Sequence, residues 1–148
     1  MTENDPPAPP ALTEETWGQS RHRERAQLLG YELSMTEDGG SFATWTPAPF
    51  MSNSRGSVHG GLVGTIVDDL AAIALRSSDP SIVSSATISM HIDYLRPLVL
   101  GAPYACRGRV LRIGGRVAVA DAEIMDADGA LAVRGSATFA IARRPATG

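Results

Sequence analysis
The chain has 148 residues and a single cysteine, Cys106. One thiol excludes an internal disulfide and a cysteine-rich metal site. No histidine neighbours Cys106 in sequence to activate it, so it reads as a structural residue within a strand. Basic residues are scattered rather than clustered. With 13 Lys and Arg against 16 Asp and Glu the net charge is −3, and nothing suits nucleic acid. No apolar run reaches the roughly 18 residues that span a bilayer. The stretch Leu62 to Leu75 is interrupted by Asp68 and Asp69. The first residues also lack the basic-then-apolar pattern of a signal peptide. The expectation is a cytoplasmic, metal-independent protein without a cofactor. What is present is 43% apolar and 20% charged residues, enough for one globular domain with a real core.

Met1 to Ala11 holds Asp5, Pro6, Pro7, Pro9 and Pro10 in close succession and reads as a disordered tail. The expected domain covers residues 12–143, and residues 144–148 form a short polar tail. A helix is predicted from Thr13 to about Leu29. Thr13 is its cap, with Glu14 and Glu15 in the first turn where the dipole favours negative charge. Leu12, Trp17, Leu28 and Leu29 are its large apolar residues, and Gly30 is its stop. Tyr31 to Thr36 and Ser41 to Thr46 read as strands joined at Asp38-Gly39-Gly40, a hairpin signal. Phe50 to Val58 is a loop of Ser, Asn and Gly.

A long helix follows, from about Gly61 to Arg76. At 100° per residue Leu62, Val63, Ile66, Val67, Leu70, Ile73 and Ala74 share a stripe about 140° wide. Gly64, Asp68, Ala71 and Ala72 lie opposite. A helix apolar on one side and small on the other is buried, with something close against its small face. Four strands are predicted beyond it: Ala86 to Leu95, Tyr104 to Ile113, Arg116 to Met125 and Ala130 to Ile141. In the first, Ile88, Met90, Ile92 and Tyr94 alternate against Thr87, Ser89, His91 and Asp93. Antiparallel strands around one central helix predict an α+β fold, with one curved sheet wrapped on that helix. Such a unit leaves an edge strand uncovered, and dimerisation covers it.

The candidate chemistry lies in Asn53, His59, Gly60, Gly61 and Asp68. Two glycines permit close approach to the backbone. The first amides of a helix lack intrahelical partners and suit a developing oxyanion. Asp68 is a carboxylate on a mostly apolar helix. Burial would raise its pKa toward a general base's range, unless it is a solvated or interface-paired group. Asp69 beside it is a second candidate, and only one of the two can face a site. Asn53 and His59 either orient a substrate or shape the loop. His22 and His91 read as surface or satisfied histidines.

HGGLVGTIVDD, then TISMHIDYLRP, then a GGR turn resemble the PaaI-type hotdog-fold acyl-CoA thioesterases. The resemblance covers about residues 40 to 141. It implies a hotdog fold, an antiparallel sheet around one long helix, in dimers that often pair into tetramers. It also implies hydrolysis of an acyl-CoA or acyl-carrier-protein thioester. Asp68 would activate water or attack directly, and Gly60 or Gly61 would polarise the carbonyl. Asn53 and His59 would support the site, and Thr87 would place water or the carboxylate. The site would join Asp68 of one subunit to the helix start of another. Arg96, Arg112 and Arg116 suit coenzyme A phosphates, or are exposed charges at strand ends. Two other functions compete. One is a non-catalytic acyl-CoA sensor, although no DNA-binding segment accompanies the domain. The other is a hotdog dehydratase acting on a 3-hydroxyacyl thioester. That enzyme resembles an Asp and His pair near the helix start, whereas here the carboxylate comes nine residues after His59.

Overall fold
A computed structural model describes residues 14–146, with side chains from residue 22. The expected tail at Met1 to Ala11, the Thr13 cap and the packing of Leu12 and Trp17 lie outside what is described. The order is α1 (Glu14–Leu29), β1 (Tyr31–Met35), β2 (Ser41–Trp45), a single turn at Pro49–Met51, then α2 (Gly60–Ser78). Four strands follow: β3 (Ile82–Tyr94), β4 (Tyr104–Ile113), β5 (Val117–Met125) and β6 (Leu131–Arg143). One antiparallel six-stranded sheet runs β1-β2-β4-β5-β6-β3 and curls around α2. This is the α+β hotdog arrangement that the resemblance implies.

The β1–β2 hairpin closes at Gly39, whose φ of +84° suits a residue without a Cβ. Val63, Ile66, Val67, Leu70, Ala71, Ala74 and Leu75 of α2 are buried. Each large aliphatic among them contributes about 1.5–3 kcal/mol on leaving water. The helix backbone also rests directly on the sheet. A Cβ at Gly108 of β4 would lie 2.4 Å from the Leu70 carbonyl oxygen. The buried Ser41 hydroxyl of β2 donates to that same oxygen at 2.6 Å. The rotation and height of α2 are thereby set against the middle of the sheet.

Two boundaries and the buried face of α1 carry a tertiary signature that the sequence reading lacked. The long helix runs on to Ser78 rather than stopping near Arg76. Ser77 and Ser78 donate their hydroxyls to the Thr36 and Gly39 carbonyls of the hairpin, which holds the last turn. β3 begins at Ile82 rather than Ala86, because Ile82 is buried and pairs with Arg143 at the end of β6. On α1, Leu28 is exposed while Ala26 and Leu29 are buried. Neighbouring helical residues point about 100° apart, so the core takes the pair three apart instead. Trp45 of β2 ties this end down by donating from Nε1 to the Leu29 carbonyl at 2.9 Å.

A β-bulge overturns the simple alternation of β3. Thr87 pairs with Phe139 and Ser89 with Thr138, so Ile88 is an extra residue. Phe139 is buried under the helix, and its neighbour Thr87 shares that inward face. Thr87 therefore joins Met90, Ile92 and Tyr94 toward α2, and Ile88 is displaced from the alternation, 59% exposed. β3 is also an outer strand of the sheet, with one edge unpaired among the described residues.

Candidate functional site
The loop before α2 is built by Asn53. Its side-chain oxygen accepts from the Arg55 and Ser57 amides at 2.8 and 3.2 Å, and its Nδ2 donates to Ser57 Oγ at 2.9 Å. Asn53 thus closes a side-chain turn, as short amides do. The loop then crosses to the helix, with the His59 amide donating to the Met51 carbonyl at 2.7 Å.

His59 caps α2. Its Nδ1 accepts from the Gly61 amide at 3.1 Å, and its carbonyl accepts from Leu62 and Val63. Three of the first four helical amides are therefore satisfied. Gly60 N–H has no acceptor among the described residues. Of the two candidate glycines, only Gly60 keeps a free donor at the helix start. Its carbonyl is held from the other side by the Tyr94 hydroxyl, which donates at 2.6 Å. The ring packs closely enough that a Cβ on Gly60 would touch it at 3.4 Å.

Asp68 and Asp69 are adjacent and differently placed. Asp68 faces β3 and is half-buried. Thr87 Oγ1 donates to its Oδ1 at 2.8 Å, and its second oxygen has no partner among the described residues. Burial pushes its pKa above the ordinary carboxylate range and outweighs the Thr87 hydrogen bond that opposes the shift. The charge on Asp69 pushes the same way as burial. Asp69 turns inward and is 8% exposed. Arg25 of α1 grips it with Nη2 at 2.6 Å and Nε at 3.1 Å, the Tyr31 hydroxyl donates to it, and His22 lies 3.6 Å away. Burial alone would raise its pKa. Its contacts with His22, Arg25 and Tyr31 win and hold it below the ordinary range. Of the two carboxylates, only Asp68 is open to a ligand.

The arginines are spread out. Arg96 follows β3 at the helix-start end, 3.9 Å from Asp126. A concavity of about 450 Å³ there is lined by Asn53, Arg55, Gly60, Tyr94 and Arg96. Arg112 and Arg116 flank the β4–β5 turn. Arg143 binds the carbonyls of that turn and also Asp79, just past the end of α2. They stand at the opposite end of the helix from Arg96. A larger concavity, about 950 Å³, lies between the β1–β2 hairpin and β4 and contains none of the predicted site residues. His91 is exposed and bonds Asp93 at 3.0 Å. Cys106 is buried, which pushes its thiol up to about 12, as suits a structural residue. No group of His, Cys, Asp and Glu that could hold a metal occurs among the described residues. No described helix is long and apolar enough to cross a membrane.

A family model described as the thioesterase superfamily matches residues 55–133, the stretch from the Asn53 turn through α2 and into β6. The chain belongs to the thioesterase superfamily. Among its superfamily relatives is the acyl-coenzyme A thioesterase PaaI of Escherichia coli K12, 31% identical over 101 residues. That match covers 68% of this chain and 70% of the relative. A relative from Halobacterium salinarum is 34% identical over 73 residues, 48% of this chain; the chain spans only 47% of that protein. A hypothetical thioesterase from Streptococcus pneumoniae TIGR4, solved with coenzyme A, superposes with a TM-score of 0.76. It is 20% identical over 86% of this chain and 99% of its own, a likeness of fold. PaaI stands among the relatives, as the resemblance implies.

Two parts of this candidate site were not foreseen. Tyr94 was placed only on a strand face, and its tie to Gly60 joins positions 34 residues apart. The Arg25–Tyr31–Asp69 cluster joins three elements. Its one signal in sequence was a second carboxylate on an apolar helix.

Proposed function
We propose that the chain hydrolyses an acyl thioester, of coenzyme A or of an acyl-carrier protein, to the free acid and a thiol. One observation carries this reading: in a thioesterase-superfamily chain, the half-buried Asp68 carboxylate is held by Thr87 through one oxygen and leaves the other free. The raised pKa makes it a stronger base than an exposed carboxylate. Asp68 takes a proton from water as that water adds to the thioester carbonyl. The Gly60 amide receives the developing oxyanion. Collapse breaks the C–S bond, and the proton held on Asp68 passes to the departing thiolate. Direct attack by Asp68 would instead give an anhydride that water opens. In heavy-oxygen water under single turnover, label in the Asp68 side chain marks direct attack with the anhydride opened at the Asp68 carboxyl carbon, since water activation leaves that side chain unlabelled.

Asp68 and Gly60 of one chain cannot serve one carbonyl. Eight residues of helix separate them by about 12 Å. The site therefore takes Asp68 from one subunit and Gly60, with its Asn53 and His59 supports, from a second copy, in a dimer that can pair into a tetramer. Arg96, which lines the concavity beside Gly60, would meet the phosphates of coenzyme A; Arg112 and Arg116 stand at the other end of the helix and do not line that concavity. Relatives support this substrate class: one is named an acyl-coenzyme A thioesterase, and one solved structure contains coenzyme A.

The test is thiol release from short-chain, medium-chain and aryl acyl-CoA esters by the wild type and Asp68→Asn. Activity that collapses in the variant upholds the reading. Equal activity in both proteins overturns the role of Asp68. Binding of esters without release by the wild type would make the chain a sensing module.

A further inference from the structure
We propose that Tyr94 is a positioning residue for the reaction: its hydroxyl fixes the Gly60 peptide so that the free Gly60 amide stays aimed at the reacting carbonyl. The inference rests on the reading that Gly60 receives a developing oxyanion. A glycine has no side chain of its own with which to lock its backbone.

Two peptide groups meet at the Gly60 Cα and carry four polar atoms between them. The His59 carbonyl accepts from the Leu62 and Val63 amides at 3.0 and 3.2 Å. The Gly61 amide donates to His59 Nδ1 at 3.1 Å. The Gly60 carbonyl accepts from the Tyr94 hydroxyl at 2.6 Å. The Gly60 amide is the atom left over among the described residues. His59, Leu62 and Val63 are anchors from the helix start itself, and helix ends fray. Tyr94 comes from the sheet, 34 residues away.

That distant anchor is itself held. Tyr94 pairs with Val133 of β6. The next two amides, of Leu95 and Arg96, both donate to the Ala132 carbonyl, at 2.8 and 3.1 Å. The ring adds a second constraint. A Cβ on Gly60 would meet its Cζ and Oη at 3.4 Å each, an ordinary contact distance. Bonds to a carbonyl also strengthen the donor at the other end of the same peptide. The Tyr94 bond therefore tightens the Gly61 amide on His59, and the two bonds to the His59 carbonyl sharpen the free Gly60 amide.

Folding needs little of this. Tyr94 is 51% exposed, so water can take the place of its hydroxyl at the Gly60 carbonyl. Water cannot hold a peptide in place. An oxyanion donor is worth about a hundred- to a thousandfold in rate, and only when it lies within about 0.5 Å of the productive position. A bond that weighs little in stability and more in rate is the mark of a positioning residue.

The test compares the full chain with Tyr94→Phe, which keeps the ring and removes the hydroxyl. Thiol release is measured with the acyl-CoA ester that the wild type hydrolyses fastest. Binding is measured with S-propyl-CoA, which has no carbonyl, and with S-trifluoroacetonyl-CoA, whose hydrated ketone presents a tetrahedral oxygen. In Tyr94→Phe, kcat should fall about five- to tenfold while KM moves less than about twofold. S-propyl-CoA should bind both proteins alike, and the ketone should lose affinity by about the same factor as kcat/KM. The melting temperature should stay within about 2 °C of the wild type. Tyr94→Leu, which removes the ring as well, should lose more rate.

An unchanged kcat in Tyr94→Phe overturns the role of the hydroxyl and leaves the thioesterase reading standing. A raised KM with weaker S-propyl-CoA binding also overturns it, since Tyr94 would then be a substrate contact. So does a loss of rate that tracks a fall in melting temperature, since the residue would then be structural. A wild type that releases no thiol from any ester sinks the thioesterase reading itself, and the proposal with it.

Discussion
Asp68 and Asp69 are neighbours in the chain with the same side chain and opposite fates. A step of about 100° around α2 separates them. Asp69 turns to α1 and β1 and receives Arg25, Tyr31 and His22. Asp68 turns to the edge strand and receives one hydroxyl. The cluster depresses one pKa and burial raises the other. The lesson concerns chemistry available for use. A carboxylate whose oxygens are taken by cations and donors is a fastener for the fold. A carboxylate buried with fewer partners than it can accept is reactive and costs stability.

The largest effect should come from removing Asp68. Asp68→Asn keeps the size and removes the base, so thiol release should fall at least about a hundredfold. Stability should move the other way. Because its folded pKa lies above the ordinary value, Asp68 favours the fold in acid, and that contribution is lost as pH rises through the folded value. Asp68→Asn should therefore melt no lower than the wild type at neutral pH, and higher if burial is the dominant cost. A large fall in melting temperature would break the contrast.

Next is Asp69→Ala, which should lower stability by about 2–3 kcal/mol. It strands Arg25 and Tyr31, and the cost is discounted because Arg25 is partly open to water. Denaturant unfolding measures it. The pH dependence has the opposite sign to that of Asp68. The folded pKa of Asp69 lies below the ordinary value, so its stabilisation is present above about pH 4 and is lost as pH falls through the folded value. The difference in stability between wild type and variant should shrink in acid.

A smaller effect is expected at Thr87. Thr87→Val removes one hydrogen bond, worth about 1 kcal/mol, so release should slow roughly five- to tenfold. Thr87 holds the Asp68 pKa down, so the acid limb of the rate profile should move to higher pH. A limb that stays in place would mean that Asp68 is not the titrating base. The smallest effect sharpens the other side. Tyr31→Phe removes one donor from Asp69 and should cost about 1 kcal/mol in denaturant unfolding. The rate should not change at a temperature where both proteins are folded.

Much of this was legible in the residues. The apolar stripe of α2, the hairpin at Gly39 and the run of strands follow from local periodicity and turn chemistry, and the structure keeps all three. The helix-start residues were legible as a group because a loop, a cap and two glycines are contiguous in sequence. Which glycine keeps a free amide was not, because that depends on the direction of the His59 ring. The orientation of Thr87 was misread from alternation, since a bulge depends on pairing with β6 and leaves no local mark. The three partners of Asp69 come from α1 and β1, elements that only packing brings to α2.

By itself the sequence determined which elements form, the α+β class, and the set of residues from which a site could be made. Those properties depend on neighbours within a few positions, where propensity and periodicity act. Only the tertiary structure decided which of two adjacent carboxylates is spent on the fold, which helix-start amide stays free, and that Asp68 meets Thr87 rather than Gly60. Those are contacts between positions far apart in the chain. They exist only once the sheet has closed around the helix and set its rotation.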